Sequence, residues 1–113
     1  MVDYSGHLDR AFAALADPTR RRMVERLSAG NLTVTDLARP LSITLQGTLK
    51  HLEVLAAAGL VRKRKSGRSV TCSLEPQAMT LATAWLDERR MALEARLDRF
   101  ATYLDTLQNG AGS

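Results

Sequence analysis

The last third of the chain sets the hardest constraint. From Pro76 to Leu107 there is no further proline and no glycine, and Met79, Leu86, Leu93, Phe100 and Leu107 recur every seven residues. Leu97 and Leu104 fill the offset positions four later, where Thr83 and Arg90 interrupt the earlier part of the seam. This repeat predicts one long helix with an apolar stripe. In a chain of 113 residues the remainder can build only one small core, too small a body to bury the whole stripe. The surplus face, most evident beyond Leu93, implies a partner helix, and the simplest is the same helix of a second copy. The alternative is a long helix folded back on its own domain. One domain is expected over residues 1–108, with residues 109–113 (Asn109-Gly110-Ala111-Gly112-Ser113) as a flexible tail.

Ahead of that helix the pattern changes every ten to fifteen residues. Leu8, Ala11, Phe12 and Leu15 have the spacing of a first helix over His7 to Ala16. Asp17-Pro18 reads as an N-cap followed by proline at the first helical position. The second helix buries Met23, Val24 and Leu27 and stops near a left-handed Gly30. Thr33 caps a short helix, Val34 to Arg39, which Pro40 ends. Thr44 caps a longer one, Leu45 to Ala58, with Leu45, Leu49, Leu52 and Leu55 or Ala56 inward and Gly59 as the stop. Two helices joined by a tight turn form a helix-turn-helix. On the second, Thr44, Gln46, Gly47, Thr48, Lys50 and His51 are the small or hydrogen-bonding groups that an element entering a DNA groove needs.

Two alternating stretches then flank Ser66-Gly67-Arg68, Val61 to Lys65 and Ser69 to Leu74, which predicts a β-hairpin. The expected fold is mainly α with a small β-hairpin, in the order α-α-α-α-β-β-α, a winged helix-turn-helix.

Charge follows the same plan. The formal net charge is +4, and residues 61–75 account for the excess, with Arg62, Lys63, Arg64, Lys65 and Arg68 against Glu75 alone. Arg64, Lys65 and Arg68 are candidate contacts to a phosphate backbone or the adjacent minor groove, set against the plainer use of charge to keep a sheet edge soluble. Arg20, Arg21 and Arg22 sit in the first turns of the second helix, against its dipole. A phosphate near that end would account for them, and Arg20 and Arg21 are candidate backbone anchors alongside plain helix packing or pairing with Asp17.

Other chemistries find little support. The single cysteine, Cys72, forbids an internal disulfide. Alternation turns it inward as packing, while its basic neighbours make it a candidate redox site. His7 and His51 lie on separate helices with no nucleophile arranged beside them, and there is no glycine-rich phosphate loop, so no enzyme and no cofactor are expected. No apolar run approaches the ~18 residues of a membrane span and the start carries no export signal, so the expected location is the cytoplasm.

The chain resembles the ArsR-type (ArsR/SmtB-like) winged-helix bacterial transcriptional regulators. The matching residues are Ala14-Leu15-Ala16-Asp17-Pro18-Thr19-Arg20-Arg21, Leu32-Thr33-Val34-Thr35-Asp36-Leu37-Ala38, Leu49-Lys50-His51-Leu52-Glu53-Val54-Leu55 and Ala58-Gly59-Leu60-Val61. The resemblance implies a homodimer formed through the first and last helices, here Leu8 and Phe12 with Leu93, Leu97, Phe100, Leu104 and Leu107. It also implies a palindromic operator and repression by occupying a promoter. Metal-sensing members carry Cys-Val-Cys where this chain has Thr33-Val34-Thr35, and hydroxyls are poor ligands for soft metals. Zinc-binding members use histidines of the last helices, and none follows His51 here, so no metal is expected. The family's usual serine before Lys-His is Leu49.

The expected function is therefore a sequence-specific DNA-binding transcriptional regulator, a dimeric repressor on an inverted repeat. Helix 45–58 would enter the major groove and hairpin 61–74 would lie on the backbone or minor groove. The alternatives are a winged-helix module that binds another protein without specific DNA binding, and a sequence-neutral DNA-binding protein. Double-stranded DNA and a second copy of the chain are the expected partners, a membrane is not, and the residues name no small effector.

Overall fold

The structure, a computed structural model, describes residues 4–110. Helix α1 (Tyr4–Leu15) leads into α2 (Pro18–Ala29), a two-residue strand β1 (Leu32–Thr33), α3 (Val34–Ala38) and a 3₁₀ turn (Arg39–Leu41). Then come α4 (Leu45–Ala57), strands β2 (Val61–Ser66) and β3 (Ser69–Leu74), and α5 (Pro76–Gly110). The chain divides into two compact units, one ending at Ala82 and one beginning at Thr83.

Three short polar side chains start three helices. Asp17 accepts the Arg20 amide at 3.0 Å with Pro18 at the first helical position, Thr33 accepts the Asp36 amide at 3.2 Å, and Thr44 accepts the Gly47 amide at 3.0 Å. Each satisfies a donor that a helix start leaves unpaired. At the other end of α4, Gly59 takes φ 75°, and the amides of Gly59 and Leu60 donate to the carbonyls of Ala56 and Leu55 at 3.0 Å each. These are the paired bonds of a Schellman closure. Gly30 departs from expectation: its backbone is extended, φ 160° and ψ 164°, and its amide reaches the Leu27 carbonyl at 3.3 Å.

The hairpin belongs to a three-stranded antiparallel sheet, order β1-β3-β2. Its turn is tighter than the sequence predicts, because Ser66 pairs with Ser69 and leaves Gly67, at φ 61°, and Arg68 as the two central residues. β1 has no counterpart in the sequence reading; Leu32 and Thr33 become a strand by pairing with Cys72 and Thr71. Pro40, expected to end α3, lies inside the 3₁₀ turn, and Ser42 beyond it takes a left-handed conformation at φ 55°.

The first unit closes around Met23 and Leu27 of α2, Leu37 of α3, Leu52 and Leu55 of α4, and Cys72 of β3. The buried face of α4 is rotated from the one expected. Thr48, Leu52 and Leu55 form it, while Leu45 and Leu49 are 53% and 40% exposed. Spacings of four and seven place those three on one narrow stripe. Thr48 can occupy it because its hydroxyl donates to the Thr44 carbonyl at 3.0 Å, which satisfies the buried donor.

In the second unit every described residue but Asp87 is exposed, and Leu93, Leu97 and Phe100 keep more than half of their surface in water. Polar pairs support the helix locally: Arg90 lies 3.2 Å from Asp87 and 4.0 Å from Glu94, and the Arg89 guanidinium lies 5.1 Å from the Trp85 ring centre. Asn109 and Gly110, expected in the tail, are helical; Ala111-Gly112-Ser113 lie outside the described residues. Among the described residues no helix is long and apolar enough to cross a membrane.

Candidate nucleic-acid interface

The cap on Thr44 decides what α4 can present. The Thr44 hydroxyl is occupied by the Gly47 amide, and a Cβ at Gly47 would lie 3.1 Å from that same oxygen, so glycine keeps the cap seated. Thr44 and Gly47 build the helix start. Thr48, expected to touch base edges, is fully buried. What faces outward from the first turns is Leu45, Gln46, Leu49 and Lys50, with Glu53 beyond. Leu45 and Leu49 are the functional candidates that counting leucines missed. Thr48, four residues beyond its own cap, was the signal that would have turned them outward.

The hairpin supplies charge. Arg62 is held by Glu75 at 3.5 Å. Among the described residues Lys50, Arg64, Lys65 and Arg68 have no carboxylate within ion-pair reach. Arg64 sits opposite Thr71 and Lys65 opposite Val70, so the two project from opposite faces of the hairpin, with Arg68 in the turn. Between hairpin and α4 runs an open groove of about 450 Å³, lined by Thr33, Thr35, Leu45, Leu49, Arg68 and Val70 among others.

Of the roles expected for Arg20 and Arg21, the structure shows helix packing. Arg20 Nε donates to the Ala14 carbonyl at 2.6 Å and its Nη2 to Ala13 at 3.2 Å, while Arg21 Nη1 donates to Leu15 at 2.8 Å. These carbonyls belong to the last turn of α1, at the negative end of its dipole, and the one of Ala13 also accepts the Ala16 amide at 3.2 Å. Closing α1 accounts for both arginines without a phosphate. Arg20 Nη1 also lies 3.4 Å from Nδ1 of His51, so His51, expected to contact a base or phosphate, is half-buried and turned toward α2. The Arg20 amide bonded to Asp17 holds that carboxyl below the usual aspartate range.

Cys72 is fully buried, and desolvation pushes its thiol up despite the opposing charge of Lys63. A protonated sulfur without access to solvent lacks both requirements of a reactive thiol, so this structure gives the redox candidate no opening. Among the described residues no three His, Cys, Asp or Glu side chains gather where they could hold a metal. Of the residues expected at a dimer surface, Phe12 and Leu93 to Leu107 are exposed. Leu8 is half-buried and lines a cavity of about 350 Å³ with His7, Ala58, Gly59, Gln77 and Leu81.

Residues 15–64 match the helix-turn-helix domain family. The sequence is 42% identical over 94 residues to the helix-turn-helix transcriptional regulator Rv2034 of Mycobacterium tuberculosis, covering 83% of this chain and 78% of that one. It is 27% identical to the transcriptional repressor SdpR of Bacillus subtilis, over 70% of this chain and 88% of the relative. The solved structure of the ArsR family transcriptional regulator RHA00566 superposes with a TM-score of 0.76 at 41% identity, covering 83% of this chain and 97% of the other.

Proposed function

The chain belongs to the ArsR-type helix-turn-helix transcriptional regulators, and from that premise we propose a dimeric repressor that acts by binding alone on an inverted-repeat operator in the cytoplasm. The observation that carries this reading is the exposed face of α4, where Gln46 and Lys50 stand on a capped helix start beside a hairpin bearing Arg64, Lys65 and Arg68. Gln46 is a bidentate partner for adenine, and Lys50 can reach a guanine edge or a phosphate. The hairpin cations hold phosphates, which supplies affinity and register without selecting sequence.

Dimer formation is supported by the α5 seam. Leu86, Leu93, Leu97, Phe100, Leu104 and Leu107 are each 44–59% exposed, and from Leu93 onward they fall at the alternating four-and-three spacing of a helix that packs against another helix. Two copies would carry two α4 helices into successive major grooves about 34 Å apart, which matches a twofold repeat on one face of the duplex.

Selection of bound fragments from random duplex DNA, followed by affinity measurement between about 50 and 200 mM salt, tests the reading. A retained inverted repeat whose affinity falls steeply with salt is the expected outcome. Retention of every duplex equally would indicate sequence-neutral binding, and retention of none would leave a protein-interaction module.

A further inference from the structure

Every described leucine of the first unit outside the start of α4 is buried or half-buried, and Leu27, Leu37, Leu52, Leu55 and Leu60 are 3% exposed or less. Leu45 and Leu49 break that rule, at 53% and 40%, in the first two turns of the helix that carries Gln46 and Lys50. Four residues apart, they form one apolar stripe alongside the polar stripe of Gln46 and Lys50. The same two leucines form one wall of the 450 Å³ groove, with Arg68 among the residues lining it.

We infer, building on the DNA-binding reading above, that Leu45 and Leu49 read the 5-methyl groups of thymine in the major groove. Thymine is the base that carries a methyl on that edge, and an apolar side chain is what recognises it. The methyl lies on the side of the base nearest its own strand's backbone. A nucleotide in the groove therefore offers a methyl to the leucines and a phosphate to Arg68, which matches the apolar and cationic character found there. A polar residue at either position would exchange water for base-edge hydrogen bonds. Leucine has none to give, and its contribution comes from covering apolar surface. The operator should accordingly carry thymines opposite the first two turns of α4 in each half-site.

The test uses the full chain and the duplex it selects from a random library. Each thymine of the half-site is replaced in turn by deoxyuridine, which removes the methyl and leaves the hydrogen-bonding edge intact. At the positions opposite Leu45 and Leu49, affinity should fall about fourfold per methyl, the factor expected for one buried carbon group. With Leu49→Ser the protein should lose that discrimination at the position opposite Leu49, binding thymine and deoxyuridine duplexes there within about 1.5-fold. Wild-type protein that binds thymine and deoxyuridine duplexes alike at every position overturns the inference and leaves the DNA-binding reading standing. Selected half-sites without enriched thymine do the same. Failure to retain any duplex removes both.

Discussion

The two units treat the same residue type in opposite ways. Up to Ala82 the leucines, Leu45 and Leu49 apart, are gathered wholly or partly into a core closed by three N-caps and a Schellman turn; from Thr83 onward the leucines stand in water on a single helix. A seven-residue repeat records that an apolar stripe exists but not what covers it. In the first unit the cover comes from the chain itself, so each helix needs only the few residues that face inward. In the second the pattern is regular over many turns, as the partner helix proposed for it would require.

The sharpest way to break the comparison is to make one substitution in both places. Leu52→Ala should destabilise the fold by about 2–5 kcal/mol in urea unfolding, because it opens a cavity in a closed core. Leu93→Ala should change the stability of dilute, unassociated chain by less than about 0.5 kcal/mol. Its effect should appear as a loss of the concentration dependence of Tm, measured over a hundredfold range of protein. An equal loss in the two variants at low concentration would show that the stripe is covered within one chain.

Smaller effects test how the first unit is closed. Thr44→Ala should lower stability by about 1 kcal/mol and weaken DNA binding, because it frees the Gly47 amide at the start of α4. Thr44→Ser should restore both, which urea titration and DNA-binding isotherms would check. Gly59→Ala should cost about 1–2 kcal/mol. Its added Cβ meets only ordinary contact, 3.7 Å from the Ala78 Cβ, so the cost lies in holding φ at 75°. Thermal unfolding of Gly59→Ala beside Gly30→Ala sharpens this, since the extended Gly30 should tolerate alanine better.

Acid gives the smallest effect. Asp17 is held below its ordinary pKa by the Arg20 amide, so its contribution is present above the unfolded value of about 3.9 and is lost as pH falls through the folded value. Asp17→Asn keeps a side chain able to cap without a titrating charge. Its stability measured from pH 6 down to pH 2 should therefore fall less than that of the wild type.

Features with local causes were legible in the sequence. Asp17, Thr33 and Thr44 were readable as caps because each acts on an amide three residues ahead, and the hairpin because Gly67 marks its turn. Features that depend on distant partners were not. β1 exists through strand pairing with residues far along the chain. The carbonyls that engage Arg20 and Arg21 come within reach only once α1 and α2 have packed. The phase of α4 was misread for a chemical reason: a threonine satisfied by its own helix is as acceptable in a core as a leucine, and counting apolar residues overlooks it. That error concealed the exposure of Leu45 and Leu49 beside Gln46 and Lys50.

The sulfur of Cys72, sealed in the core of the first unit, is a built-in reporter. A colourless disulfide reagent that turns yellow on reaction would find no target in the folded molecule and would record each opening of the sheet as it occurs. The rate of colour development across temperature would then measure how often the wing comes apart, with no label added to the chain.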